Sequence, residues 1–393
     1  MSQVPHSSAA PRHAIVIGGS LSGLFIGNLL RRAGWHVEIF ERSAHTLDSR
    51  GGGIVLQPDV EDVFRRCAIY LTDSQLGVRS QYRNVFNPDG STHSHHYAPQ
   101  VQTSWSLLYS TLRRAFGDLG YHQGATLARV SQDDAAGTVT AHFADGTLRS
   151  AHLLIGADGG NSTVRAQFWP NARPVYAGYL AWRGLVPEAG LPASARQHLQ
   201  GDLSFANNYG SHILGYLVPG PGNDLRPGHR LFNWVWYRTA DPAQLAAIMT
   251  DREGRRRGHS IPEGWLDARW LGHLRTEAQA LLPPAFRDLV EVTRDPFAQE
   301  IRDLACDHYV AGRTVILGDA AAIPRPHTAA STLKAAANAL ALADALTQFP
   351  QDLQLALAAW EPAQVALGKA LQRRGIDTGN YLMFQHGAAG RLA

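Results

Sequence analysis

The sequence predicts an α/β fold of the α+β kind: a Rossmann-type nucleotide-binding body, an antiparallel β-sheet domain inserted into it, and C-terminal helices. Three stretches carry that prediction. Residues 14–34, AIVIGGSLSGLFIGNLLRRAG, read as a buried strand, a Gly/Ser turn and a helix. Residues 176–294 hold aromatic strands such as YAGYLAWRGLV, SHILGYLVPG and RLFNWVWYR, separated by Gly/Pro turns, which is the pattern of an antiparallel sheet. Residues 313–346 read as a short β-branched strand ending on Gly318-Asp319, a loop stiffened by Pro324 and Pro326, and an Ala-rich helix.

Bulk composition narrows the function classes. A chain of 393 residues, 45% hydrophobic and 18% charged, is an ordinary globular one with room for two or three domains. Its 36 basic and 33 acidic residues are dispersed, so no polyanionic partner is called for and nucleic acid is not expected. Cys67 and Cys306 lie far apart, which argues against a disulfide framework and a structural zinc and fits a cytoplasmic location. Residues 1–12 are polar, hold two prolines and read as a loose tail rather than a signal peptide. With no apolar run of about 18 residues, no membrane span is expected.

In chain order, Gly18-x-Ser20-x-x-Gly23 is a dinucleotide fingerprint whose second glycine is serine, and Leu21 opens the helix behind it. The next strand, HVEIFER, ends in Glu41-Arg42, eighteen residues past Gly23, where a carboxylate can accept from a ribose hydroxyl. An acid there disfavours a 2′-phosphate and leaves FAD or NAD. Arg50-Gly-Gly-Gly-Ile-Val-Leu-Gln57 holds three glycines before a short strand, so a flat ligand could approach the backbone, although a β-bulge would use them equally. His93, His95 and His96 read as members of a polar loop rather than a metal site.

Residues 105–117 are helical by period, and 138–149 alternate about an Asp145-Gly146 turn. Another buried strand then ends in Gly156-Ala-Asp158-Gly, with Ser162 as a helix cap. Asp158 faces a ligand or merely caps the turn, and the segment alone does not choose. In residues 230–238, Phe232, Trp234 and Trp236 share one face of a strand, which is either sheet core or the wall of a substrate pocket. The basic run REGRRR at 252–257 reads as a solvated loop, and the helix after residue 353 shows no chemistry.

Four blocks in this order, Gly18–Gly23 with Glu41-Arg42, Gly156-Ala-Asp158-Gly, Tyr176-Ala-Gly-Tyr-x-x-Trp182-Arg183-Gly184 and Gly318-Asp319-Ala-Ala, make the chain resemble the single-component FAD-dependent aromatic hydroxylases over nearly its whole length. The resemblance implies an FAD held by Gly18, Ser20, Leu21, Gly23, Glu41, Arg42, Arg50, Gln57, Asp158, Gly318, Asp319, Thr332 and Leu333. With a single fingerprint, NADH or NADPH would visit without a domain of its own, reduce the flavin and leave. The implied reaction is hydroxylation of a small electron-rich aromatic or hydroxypyridine-type ring through a flavin C4a-hydroperoxide, with oxygen as co-substrate. A proton must leave the ring, for which His327, beside Pro326, and His212 are the candidates. Tyr209, Tyr216 and Trp234 are the candidate substrate contacts. A homodimer is left open, and no metal is called for.

On this reading residues 13–87, 105–170 and 296–335 form the FAD-binding domain, 88–104 and 171–295 the substrate sheet, and 336–393 the C-terminal helices. Family members generally keep a glycine pair where Ser331 and Thr332 stand, an acid at Asn338, and an Arg where Trp105 or Ser106 falls. Two other readings stay open: a flavin-dependent halogenase, hinted at by Trp234-x-Trp236 but lacking the Ile-Pro that completes its motif, and a non-catalytic binding protein on the same fold. A flavin-linked reductase of isoprenoids is more distant.

Overall fold

The computed structural model describes residues 12–47 and 52–385. The N-terminal tail, short of Arg12, and Arg50 lie outside the described residues. Strands His13–Ile17, His36–Glu41, Leu153–Gly156 and Thr314–Ile316 are parallel neighbours in a six-stranded sheet. Their near-continuous apolar runs are what a sheet covered on both faces requires. The helix Leu21–Arg32 covers one face and packs on the helix Ser331–Gln348, which is Ala-rich enough to approach closely. A Cβ on Gly23 would overlap the Gly18 carbonyl oxygen, so this glycine serves the tight strand-to-helix return.

The second layer is a ten-stranded, mostly antiparallel sheet whose centre is Val175–Pro187, Leu231–Thr239 and Ser211–Val218. One of its faces is closed by the helices Ala268–Leu281 and Pro284–Val292, forming a core with Phe232, Trp234, Trp236 and Trp182. The other face carries Ala181, Val235 and Tyr237 and turns toward the parallel sheet. Period-two alternation thus separates the two faces of Leu231–Thr239 cleanly.

Several expectations need correction. Strands Val78–Phe86 and Phe297–Ala305, allotted from sequence to the nucleotide-binding body, pair into the large sheet, because their hydrogen-bonding edges continue it. The boundary at 335 falls inside the helix Ser331–Gln348. His93, His95 and His96 sit on the strand Thr92–Ser104, not in a loop, where His95 stacks on Tyr82 and meets Asn84. The basic run is also more ordered than a solvated loop: the Arg252, Arg255 and Arg257 guanidiniums stand 5.0, 5.5 and 4.3 Å from the Trp265 ring. No helix among the described residues is long and apolar enough to cross a membrane.

Candidate functional site

A cavity of about 590 Å³ lies between the two sheets. Four neighbouring parallel strands deliver its floor: Gly18 follows Ile17, Glu41 ends the second strand, Asp158 follows Gly156 and Asp319 follows Ile316, all on the carboxyl edge of the sheet. Open α/β sheets bind ligands on that edge. Ser20, Leu21, Arg42, Pro326 and Thr332 line the same space, joined by Ser331, Trp105, Arg183, Val235, Tyr237, His259 and Arg302.

Two helix starts converge on it. Neither the helix after Ser20 nor the one after Ala330 has a side-chain cap, whereas Ser104, Ser162, Asp241, Asp267 and Asp352 each cap a helix elsewhere. First-turn N–H groups have no partner within a helix, so both ends present donors to an anion. Gly18 adopts φ +104°, and a Cβ there would overlap the Ala157 carbonyl oxygen, so the fingerprint turn requires glycine. Tyr121 braces the turn by donating to the Gly19 carbonyl at 2.9 Å.

Glu41 is buried, and its carboxylate accepts from the N–H groups of Gly19 at 2.9 Å and Ser43 at 2.8 Å. Each oxygen keeps a second lone pair for a ribose hydroxyl. Asp158 divides its oxygens. Oδ2 accepts from the N–H groups of Thr163 at 2.7 Å and Val164 at 3.2 Å, while Oδ1 is inaccessible to solvent and has no protein partner. Burial raises its pKa, against the hydrogen bonds from Ser162 and the following amides. Asp319 accepts from the Lys334 ammonium at 2.8 Å, which also donates to the Ala322 carbonyl. An adenine dinucleotide fits these residues: uncapped helix starts for its phosphates, Glu41 for a ribose, and the orphaned Asp158 Oδ1 for a hydroxyl donor.

The expected substrate residues are placed differently. Trp234 is fully buried in the far core, where its Nε1–H donates to Thr293 Oγ1 at 2.9 Å, so it is not a pocket wall. Tyr209 is 62% exposed in the turn between Leu203–Asn208 and Ser211–Val218, outside the cavity lining. Tyr216 is buried beneath Gly53, whose missing Cβ leaves room for its ring, and burial pushes its phenol up to about 12. His327 and His212 stand behind the cavity-lining Tyr237, with ring centroids 4.4 and 5.7 Å from it. His327 Nε2 is 2.8 Å from the Tyr179 hydroxyl, its Nδ1 has no protein partner, and burial holds its pKa well below the ordinary range, with His212 and Arg325 adding to the shift.

Four other expected cofactor residues do not line the cavity. Gly23 and Gly318 pack backbone against backbone or Ser22, Leu333 follows Thr332 in the helix, and Gln57 precedes the helix Pro58–Arg66. Sequence reasoning missed Arg183, Tyr237, His259 and Arg302. For Arg183 the signal existed: it alternates with Trp182, so a core-facing Trp182 puts Arg183 on the cavity face. Arg183 Nη1 donates to Gln299 at 3.2 Å, and its buried Nε has no protein partner. At the cavity mouth, Arg302 donates to Asn161 Oδ1 at 2.8 Å, and Asn161 Nδ2 contacts His259 Nδ1 at 3.0 Å. Burial, then the charges of Arg302 and Arg42, push the pKa of His259 down to about 4.

Known proteins share this arrangement. Residues 176–303 match a family model described as FAD binding domain-like. The 2,6-dihydroxypyridine 3-monooxygenase of Paenarthrobacter nicotinovorans is 34% identical over 375 residues, covering 95% of this chain and 92% of that protein. The 6-hydroxynicotinate 3-monooxygenase of Pseudomonas fluorescens is 27% identical over 414 residues, 94% of this chain and 91% of that one. Among solved structures, 2,6-dihydroxypyridine-3-hydroxylase from Arthrobacter nicotinovorans superposes with a TM-score of 0.89 at 32% identity, covering 97% of this chain and 94% of that one. With the fingerprint, the three acids at strand ends and the paired sheets in place, this chain belongs to the single-component FAD-dependent aromatic hydroxylases and is an FAD-dependent monooxygenase.

Proposed function

We propose that the protein hydroxylates a small, electron-rich hydroxypyridine or phenol, using NADH or NADPH to reduce its FAD. The supporting observation is the continuity of one cavity, from the glycine fingerprint to a chamber walled by Ala181, Val235, Tyr237 and Pro326, with Arg183 inside it. The names of two relatives, a dihydroxypyridine and a hydroxynicotinate monooxygenase, favour the pyridine class. Bound flavin would supply reduction of dioxygen and delivery of one oxygen atom to the ring.

The chain's own residues then have separable tasks. Gly18, Ser20, Leu21, Glu41 and Asp158 hold the dinucleotide, and the helix start at Ser331-Thr332 offers donors to negative charge on the flavin. Gly318 shapes the turn that carries Asp319. Arg183 stabilises the ring oxygen once it has lost its proton, because its guanidinium carries an N–H that no protein group takes up and a charged donor favours an anion. His327, which does not itself line the cavity, is the proposed proton acceptor by way of Tyr237, whose ring centroid lies 4.4 Å from its own. It is neutral at pH 7, and in the tautomer whose Nε2–H donates to Tyr179, Nδ1 keeps a free lone pair. His212, stacked on Tyr237 at 13° between planes, holds that ring in place.

The test is purification and a stopped-flow screen. The protein is expected to be yellow, and 2,6-dihydroxypyridine or another ring of the class is expected to accelerate NAD(P)H oxidation with matching oxygen uptake and a hydroxylated product. Absence of stimulation by any hydroxypyridine or phenol would overturn the substrate reading.

A further inference from the structure

The helix Leu353–Asn380 shows no chemistry in sequence, yet three of its glycines are dictated by close packing, two of them against Arg325 and Tyr179. A Cβ on Gly368 would overlap the Tyr309 hydroxyl; on Gly375 it would lie 2.8 Å from the Arg325 nitrogen, and on Gly379 2.6 Å from the Tyr179 hydroxyl. Spacings of seven and four place the three on one helix face. That face therefore lies flat against Arg325 and Tyr179, next to Pro326 and His327. Arg325 locks the contact: Nε and Nη2 donate to Asp303 at 2.7 to 3.1 Å, and Nη1 donates to Asn380 Oδ1 at 2.9 Å.

Just past Asn380 the chain folds into the turn Tyr381–Gln385 on the cavity face of the large sheet. Phe384 meets Tyr179 edge-on with centroids 6.1 Å apart. Met383 is completely buried among Tyr179, Ala181, Val235, Tyr237 and Ile301. Four of those five, Ala181, Val235, Tyr237 and Ile301, also line the cavity. Met383 thus fills the adjoining space on the same sheet face, and an unbranched thioether is suited to an irregular gap.

We propose that the turn Tyr381–Gln385 closes one end of the substrate chamber, and that Met383 sets the size of ring the chamber accepts. The proposal rests on the chamber's assignment to an aromatic substrate, and it adds a specificity-determining residue from a part of the chain that carries no motif. Shortening Met383 opens space continuous with the chamber, because the packed sheet around it relaxes only in part.

The experiment uses the full-length, FAD-loaded protein and its Met383→Ala and Met383→Phe variants. Flavin absorbance reports binding of 2,6-dihydroxypyridine, with one ring, and 2-hydroxyquinoline, with two. In Met383→Ala the ratio of dissociation constants is expected to move about tenfold toward the two-ring ligand, and in Met383→Phe toward the single ring, with flavin content unchanged. A shift below threefold, or equal weakening of both ligands, overturns the proposal by reducing Met383 to a packing residue. If Met383→Ala does not fold, Met383→Phe decides alone. A wild-type protein that binds neither ring refutes the substrate class instead. The wall is then judged from a crystal structure of Met383→Ala, in which a chamber extended into the vacated space supports it and a sealed void overturns it.

Discussion

At Gly18 backbone and ligand demands coincide. Its φ of +104° is unfavourable for any side chain, and a Cβ has no room beside Ala157. Gly18→Ala is expected to destabilise the protein by about 1–3 kcal/mol from backbone strain alone and to release FAD, as read by denaturant titration and flavin content. Asp158 shows why one sequence segment could not choose between two roles: Oδ2 caps the turn while Oδ1 has no protein partner, so one role does not exclude the other. His259 makes a pH prediction. Its folded pKa of about 4 lies below its value near 6.5 in the unfolded chain, so unfolding takes up protons between the two. Its contribution to stability is full above about pH 6.5 and is lost as pH falls toward 4. His327 acts in the same direction. His259→Asn is expected to flatten the decline in melting temperature across that window. None of these shifts could be read from sequence, since each arises from burial and from charges distant in the chain.

Among elements, the helix Ser331–Gln348 and the strand Leu231–Thr239 were the best and the worst foreseen. Strand, loop and helix around Asp319 follow from local rules, because β-branched residues, prolines and alanines act within a few positions of themselves. The facing of Leu231–Thr239 depends on which sheet face the helices Ala268–Leu281 and Pro284–Val292 cover, which no local pattern states. For that reason Trp234 was assigned to a pocket that Tyr237 in fact lines. The Lys334–Asp319 pair yields an asymmetric prediction. Lys334 is 1% exposed and Asp319 45%, so Asp319→Ala strands a buried ammonium while Lys334→Met leaves a carboxylate that water can reach. Asp319→Ala is expected to cost about 3 kcal/mol and Lys334→Met clearly less, measured by urea unfolding without cofactor. In the chamber, Arg183→Met is expected to weaken binding of a hydroxypyridine by roughly tenfold or more, with FAD content unchanged, since it removes a charged donor that no protein group fully occupies.

Across the whole molecule, the core built on the parallel sheet and the small cluster of Ala181, Val235, Tyr237 and Ile301 on the near face of the large sheet meet along the cavity. A cofactor in that cavity touches both, so free FAD at one hundred times its dissociation constant is expected to stabilise the folded protein by about 2.7 kcal/mol. Scanning calorimetry with and without FAD checks it, and an unshifted transition would mean that the cavity does not hold the flavin. The order of the chain adds a consequence of the glycine-faced helix. Leu353–Asn380 emerges from the ribosome after every residue that lines the cavity, so Arg325, already paired with Asp303, gains its bond to Asn380 only once that helix end has docked. A nascent chain can therefore hold every cavity-lining residue before the glycine-faced contact behind Arg325 and Tyr179 is able to form.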